Sequence, residues 1–243
     1  LFGAFLNSTG IMKFFMDLVN AVAGWASGGP AKVAVIASAL EGTVSGSSVA
    51  NTVGSGSFTI PLMKSLGYKP EFAGAVEAAA STGGQIMPPV MGAAAFLMAE
   101  FTNTPYIEIA KAAAIPALLY FTGIWVVVHF EAKKYGLRGL PREQLPRLFK
   151  VLKEDSYLIL PLFAIIYLLV EGSTPMTAAL GGLGLCVGVG MIRKATRMNV
   201  AKLLGTLEQG ARSALGVAAA CATAGIIVGV VTLTGLGLKF SSI

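Results

Sequence analysis

Charge is scarce in this chain. Only 12% of its 243 residues are Asp, Glu, Lys or Arg, against 55% hydrophobic residues. An ordinary soluble domain carries about 25% charged residues, and one of this length would need far more polar surface to clothe itself. Histidine is almost missing: His129 stands alone, cannot assemble a zinc site, and reads as an interfacial side chain. Cys186 and Cys221 lie in separate apolar runs with no CxxC between them. They read as small buried apolar residues. With one histidine and no metal-ligand spacing, the catalytic cluster that a membrane enzyme needs is missing. Nothing points to a nucleic-acid partner. No three-residue glycine period exists, which excludes collagen.

What is present are long apolar runs, such as Ala112–Phe130 and Ser156–Val170, that approach or reach the span of a bilayer core. Many of the 30 glycines fall inside such runs. In water they would weaken helices; in lipid, small residues let helices approach closely. The reading is an all-α polytopic protein in the lipid bilayer. The chain begins within an apolar stretch, Leu1–Leu6, and ends in another at Ile243. It is expected to be part of a longer protein.

Hydrophobic spacing divides the chain further. Residues 1–32 read as the end of a spanning helix plus an amphipathic arm, whose apolar face is Ile11, Phe14, Phe15, Leu18, Val22 and Trp25. Residues 33–66 hold two short apolar arms, Val33–Leu40 and Phe58–Leu66, around the Gly/Ser-rich stretch Gly42–Ser57. Neither arm spans about 30 Å at roughly 1.5 Å per residue, so the segment reads as a re-entrant hairpin. Residues 67–104 read as a broken helix: Phe72–Ala80, then Ser81-Thr82-Gly83-Gly84-Gln85-Ile86-Met87-Pro88-Pro89, then Val90–Ala99. Two prolines after a glycine pair predict unwinding, with free carbonyls and amides. Residues 105–154 read as a long spanning helix, Ile107–Phe130, and a basic loop containing a short surface helix near Leu145–Leu152. Residues 155–211 read as two spanning helices, Tyr157–Val170 and Met176–Ile192, and an interfacial helix over Leu203–Ala211. Residues 212–243 read as the start of a second repeat, with a span over Leu215–Leu236.

The basic loops at 131–154 and 193–202, which include Arg138, Arg142, Arg193 and Lys194, flank one tight pair of spans. The positive-inside rule places both in the cytoplasm. Counting back, the hairpin enters from the cytoplasm, at Lys32, and returns to it, at Lys64 and Lys69. Gly10-Ile11-Met12-Lys13-Phe14 is echoed by Gly237-Leu238-Lys239-Phe240, with opposite predicted orientation, as an inverted repeat would give.

A hairpin tip facing a broken helix is the expected form of a midplane ion and substrate site. Ser45, Ser47, Ser48, Asn51 and Thr52 are the tip candidates; Ser81, Thr82, Gly83, Gly84 and Gln85 are those of the break. Hydroxyls and carbonyls suit a desolvated sodium ion, and Asn51 and Gln85 can both donate and accept. Asn51, Thr52, Gln85 and Pro88 are the candidates for the substrate side. Glu41 and Glu77 lie near the two breaks and are expected to orient them by hydrogen bonds or to take a proton. Glu100 reads as a solvated cap and Lys111 as a snorkelling lysine.

Glu41-Gly-Thr-Val-Ser-Gly-Ser-Ser-Val-Ala-Asn51, Thr59-Ile-Pro-Leu-Met63 and Glu77-Ala-Ala-Ala-Ser-Thr-Gly-Gly-Gln-Ile-Met-Pro-Pro89 resemble the large membrane subunit of tripartite ATP-independent periplasmic (TRAP) transporters. The Gly83–Pro89 form followed by Val-Met-Gly-Ala-Ala-Ala-Phe looks most like the fused permeases of the branch using TAXI-type binding proteins. The resemblance covers essentially the whole chain and is sharpest from Gly28 to Glu100. It implies an elevator transporter of the inner membrane that uses sodium to import an organic acid. Its partners would be a periplasmic TAXI-like binding protein and a small membrane subunit or fused equivalent. On matching positions it implies sodium between Ser45, Ser47, Ser48 and Asn51 and Ser81, Thr82, Gly83 and Gly84. The family's second hairpin and second broken helix are not in this sequence, so half of the site is expected elsewhere. A proton-coupled elevator transporter of another family is the alternative. A channel would require a pore-lining filter instead.

Overall fold

The computed structural model describes residues 1–137, 139–141, 143, 145–192 and 197–234. The described elements are helical. Three helices are long and apolar enough to cross a membrane: Tyr106–Lys134, Pro175–Ile192 and Val200–Val231. Large apolar side chains such as Ile115, Leu118, Leu119 and Phe130 stand exposed on the first of these, as lipid-facing residues do.

Helices α1 (Phe2–Ser8) and α2 (Ile11–Ala23) open the chain. The apolar stripe of α2 buries Ile11, Phe14, Phe15 and Val19. Val22 and Trp25, expected on that face, are exposed. The side chains of α2 join Phe2, Phe5, Val151, Leu158, Ile165 and Cys186 in one core cluster.

Helix α3 (Gly29–Ser45) lies at the centre and packs against α1, α2, α4, α5, α6 and α8. Small residues make that possible: Ala31, Ala34, Ala37, Ser38 and Gly42 are all buried, so neighbouring backbones approach closely. The return arm is α4 (Ser48–Gly54) and α5 (Gly56–Ser65), joined at Ser55, whose backbone stays in the right-handed helical region. The Gly/Ser-rich stretch is therefore helical apart from Gly46-Ser47, not a flexible tip. Its hydroxyls bond back within their own helices, Thr43 to the carbonyl of Leu40 and Thr52 to that of Ser48. This removes the competition with the backbone that usually makes such residues loop formers.

Both ends of this hairpin reach the C-terminal end of one long helix. Helix α6 (Pro70–Gly83) is followed by a non-helical segment, α7 (Ala93–Thr102) and α8 (Tyr106–Lys134). A Cβ on Gly28 would lie 2.5 Å from Ala132 Cβ and 2.8 Å from the Tyr68 hydroxyl, and one on Gly67 would lie 3.2 Å from Leu137. Lys32 is buried at 3% exposure. Its ammonium lies 3.0 Å from His129 Nδ1 and 4.5 Å from the Trp125 ring centroid, an acceptor nitrogen and an aromatic face that offset its burial. Ala31, Ala34, Met63, Tyr68, Val76, Ala80, Phe121 and Val128 form a second core cluster here.

The later helices depart from expectation at two points. Tyr157–Val170 is not one continuous α-helix. A 3-10 turn, Ser156–Ile159, leads into α10 (Leu160–Val170), after α9 (Leu148–Asp155). Pro161 sits in the first turn of α10, where its fixed φ and missing donor favour a helix start. Helix α10 is eleven residues long, about 16 Å at the usual rise. It packs against α11 (Pro175–Ile192) across the turn at 171–174. Beyond, the expected interfacial helix and span are one continuous helix, α12 (Val200–Thr234). No proline lies within it, and its glycines do not stop a helix in lipid. Arg138, Arg142, Arg193, Lys194 and the Gly237–Phe240 echo lie outside the described residues.

Gly28 has φ +70°, a conformation that costs an L side chain about 1–2 kcal/mol, besides the contacts above. Gly28→Ala is expected to destabilise the purified protein by at least about 2 kcal/mol, seen as a lower thermal midpoint. Gly74, with nothing within 4 Å of a Cβ, is the control; Gly74→Ala leaves the midpoint unchanged or raised.

Candidate functional site

The site is built where the turn after α3 meets the segment after α6. A Cβ on Gly42 would lie 2.4 Å from Gly84 Cα, and one on Gly46 would lie 1.8 Å from the carbonyl oxygen of Met91. Two backbones are thus in direct contact, as only glycine allows.

The segment after α6 is not simply unwound. The amides of Gly84, Gln85, Ile86 and Met87 bond in turn to the carbonyls of Ser81, Thr82, Gly83 and Gly84, at 3.1, 3.1, 3.1 and 3.4 Å. The helix tightens into successive i to i+3 turns, and its carbonyls are engaged rather than free. The amide of Gly92 then closes the loop onto the Gln85 carbonyl at 2.7 Å. The Tyr106 hydroxyl lies 3.1 Å from the Pro89 carbonyl and 2.5 Å from that of Val90. These contacts keep Val90 out of helix, so α7 starts at Ala93 instead of the expected Val90.

Four tip and break residues converge. Ser45 Oγ donates to Asn51 Oδ1, and Gln85 Nε2 donates to Ser48 Oγ at 2.8 Å. Asn51 is fully buried, and its Nδ2 has no hydrogen-bond partner. That nitrogen lies 2.6 Å from where a Gly84 Cβ would stand, beside the Ser81 carbonyl oxygen at 3.1 Å from the same point. Beside the Gly42–Gly84 contact, a donor of α4 and a peptide carbonyl of α6 thus lie close to one point. These hydroxyl, amide and carbonyl oxygens are uncharged and hard, the donor set of a desolvated alkali cation.

The side chains of the other candidates are engaged elsewhere, although the Ser47 amide donates to Ser45 Oγ at 3.3 Å. Ser47 caps α4, its Oγ accepting from the Ala50 amide at 3.3 Å. The Thr52 hydroxyl is spent on Ser48 O. Thr82 is exposed and bonded to the Ala78 carbonyl. Gly83 faces α8, where its Cβ would meet the Tyr120 and Phe121 rings at 2.6 and 2.8 Å. Pro88 is half-buried in the closed loop.

Two carboxyl groups of α3 and α6 are buried as well, Glu41 at 2% and Glu77 at 0% exposure. Glu77 Oε1 has three hydroxyls around it, Ser55 at 2.6 Å, Ser81 at 3.0 Å and Ser38 at 3.2 Å. Thr59 donates to Oε2 at 2.5 Å. Glu41 Oε2 has no hydrogen-bond partner. Sequence reading found the two glutamates but not Ser38, Ser55, Thr59, Gly42, Tyr106 or Tyr120. A signal existed for two of them: Ser55 and Thr59 are four apart on one helical face. Glu100 is exposed, and Lys111 is paired to Glu108 at 2.7 Å.

Residues 1–243 match the family of the tripartite ATP-independent periplasmic transporter, DctM component. The chain belongs to this family. It is similar to the sialic acid TRAP transporter large permease protein SiaM of Vibrio cholerae, 32% identical over 180 residues, covering 74% of this chain and 42% of that protein. It is also similar to the C4-dicarboxylate TRAP transporter large permease protein DctM of Pseudomonas aeruginosa, 32% identical over 145 residues, 60% of this chain and 34% of that one. A third relative is the sialic acid TRAP transporter permease protein SiaT of Haemophilus influenzae, 27% identical over 160 residues, 66% of this chain and 26% of that one. The chain thus spans well under half the length of these relatives. Family membership and the three apolar helices make it a multi-pass protein of the inner membrane.

Tyr106→Phe removes a hydroxyl that serves two carbonyls. The expected result is an amide-exchange rate across residues 86–92 raised about fivefold, the effect of losing one hydrogen bond of roughly 1 kcal/mol. An unchanged rate would mean that glycine packing alone holds the segment.

Proposed function

We propose that this chain supplies one side of the ion and substrate site of a secondary transporter importing an organic acid. Sodium is the coupling ion, and the family's second hairpin and second broken helix supply the other side. The observation that carries the reading is the fully buried Asn51 Nδ2, without a hydrogen-bond partner, at the contact between Gly42 and Gly84. A buried donor without a partner costs about 1–3 kcal/mol, and a carboxylate oxygen of the substrate would satisfy it. Relatives named for sialic acid and for C4-dicarboxylates support a carboxylate substrate. Ser45, Ser48, Asn51 and the Ser81 carbonyl are the sodium ligands on this side, each entering by giving up or sharing its present hydrogen bond.

In this reading the substrate arrives on a periplasmic binding protein of the TAXI type. The permease works with a small membrane subunit or a fused equivalent. The hairpin and broken helix move together as an elevator within an inverted-repeat architecture. Division of the chain into an arm at 1–32, a re-entrant hairpin at 33–66 and a broken helix at 67–104 follows from the same reading. Both hairpin ends meet α8 at its C-terminal end, which supports entry and exit on one membrane side.

A second reading, proton coupling, is favoured by Glu41 Oε2, a buried carboxylate oxygen without a partner. Uptake of substrate by the complete permease in vesicles, with its binding protein, separates the two. Sodium coupling predicts uptake that needs an inward sodium gradient at fixed pH. Ser45→Ala and Asn51→Ala then each raise the half-saturating sodium concentration about tenfold, which is about 1.4 kcal/mol of lost ligation, while Thr82→Ala changes it less than twofold. Sodium-independent uptake driven by a pH gradient, and abolished in Glu41→Gln, would replace sodium by the proton.

A further inference from the structure

The carboxylate of Glu77 lies at a junction that neither its burial nor its place on α6 explains. Ser38 belongs to α3, Ser55 to the α4–α5 joint, Thr59 to α5 and Ser81 to α6. All four hydroxyls reach this one group, at 2.5–3.2 Å. Three of these hydroxyls crowd Oε1 and one reaches Oε2. No salt bridge to Glu77 exists among the described residues.

The network also leads to the Gly42–Gly84 contact. Ser55 Oγ stands 2.7 Å from the Asn51 carbonyl as well as 2.6 Å from Glu77 Oε1. Asn51 Nδ2 lies 2.6 Å from where a Gly84 Cβ would stand. Ser81, whose hydroxyl bonds to Glu77, has its carbonyl 3.1 Å from the same point. Gly56 fits the same arrangement, since a Cβ there would lie 3.0 Å from Glu77 Cγ. One buried carboxyl group is thus hydrogen-bonded to Ser81 directly and to Asn51 through Ser55.

We propose that Glu77 is a positioning residue of the transport site: its carboxyl group, by its hydrogen bonds, fixes the distance between Asn51 on α4 and Ser81 on α6, and thereby the affinity for the coupling cation. It touches neither ion nor substrate. The inference rests on the cation reading above, and it assigns to Glu77 a role distinct from packing. A helix pin alone would fix how much protein folds. A positioning residue sets how tightly the cation binds in the protein that has folded.

The test uses the complete permease with its binding protein in vesicles, comparing wild type, Glu77→Gln and Ser55→Ala. Gln keeps the shape of Glu but replaces one acceptor by a donor. The expected result is a half-saturating sodium concentration raised tenfold or more in Glu77→Gln and severalfold in Ser55→Ala. The half-saturating concentration of loaded binding protein stays within twofold. Amide exchange across 51–59 and 81–85, measured on the same purified proteins, rises in both variants. If Glu77→Gln does not fold, Ser55→Ala decides by the same two measurements. Variants that lower only maximal uptake, with sodium half-saturation within twofold of wild type, overturn the proposal. Wild-type uptake indifferent to sodium would sink the cation reading instead. In that case unchanged exchange across 51–59 and 81–85 in the variants would still overturn the positioning role of Glu77 on its own.

Discussion

The direct contact of two backbones, at Gly42 against Gly84, is the constraint from which the rest of this structure follows. With no side chain between them, α3 and the end of α6 come into close contact. Gly46 against the Met91 carbonyl repeats the contact one turn further on. Any side chain at these positions would push the hairpin away from the segment that closes over its tip. Asn51 and the Ser81 carbonyl would then no longer lie beside one another.

A second constraint is that polar groups away from water must find partners inside the protein. The chain meets it with small hydroxyl residues. Some bond back to their own helix, as Thr43, Thr52 and Thr82 do. Others cross between helices, as the set around Glu77 does. Tyr106 and Tyr120 serve the same end from α8 and its neighbourhood, with the Tyr120 hydroxyl on the Ala79 carbonyl at 2.8 Å. Asn51 Nδ2 and Glu41 Oε2 are among the few buried polar atoms that depart from this pattern.

Much of the fold was legible in the sequence because spacing and composition speak directly about burial and length. The apolar run from Ile107 onward became α8, and the prolines at 88 and 89 mark the gap between α6 and α7. What misled was the Gly/Ser content of Gly42–Ser57. Such residues favour loops in water, but here close packing and back-bonded hydroxyls keep them helical. The carbonyls of residues 81–84 were expected to be free because proline follows. The structure instead tightens the helix into i to i+3 turns, a local choice that composition does not record. Likewise, Pro161 starts α10 late, and nothing in the hydropathy from 157 to 170 gives that away.

By itself the sequence determined that the chain lives in a membrane, which segments carry polar chemistry, and to which family its motifs are similar. These follow from local quantities: charge content, run length, glycine and proline placement. Only the tertiary structure decided which polar residues face one another. Ser45, Ser48, Asn51 and Gln85 were drawn together, while Ser47, Thr82 and Gly83 were turned elsewhere. Ser38, Ser55 and Thr59 were gathered on Glu77 from as far as 39 residues away. The reason is that helical rotation and helix crossing set direction at each position, and both depend on close approaches between segments distant in the chain.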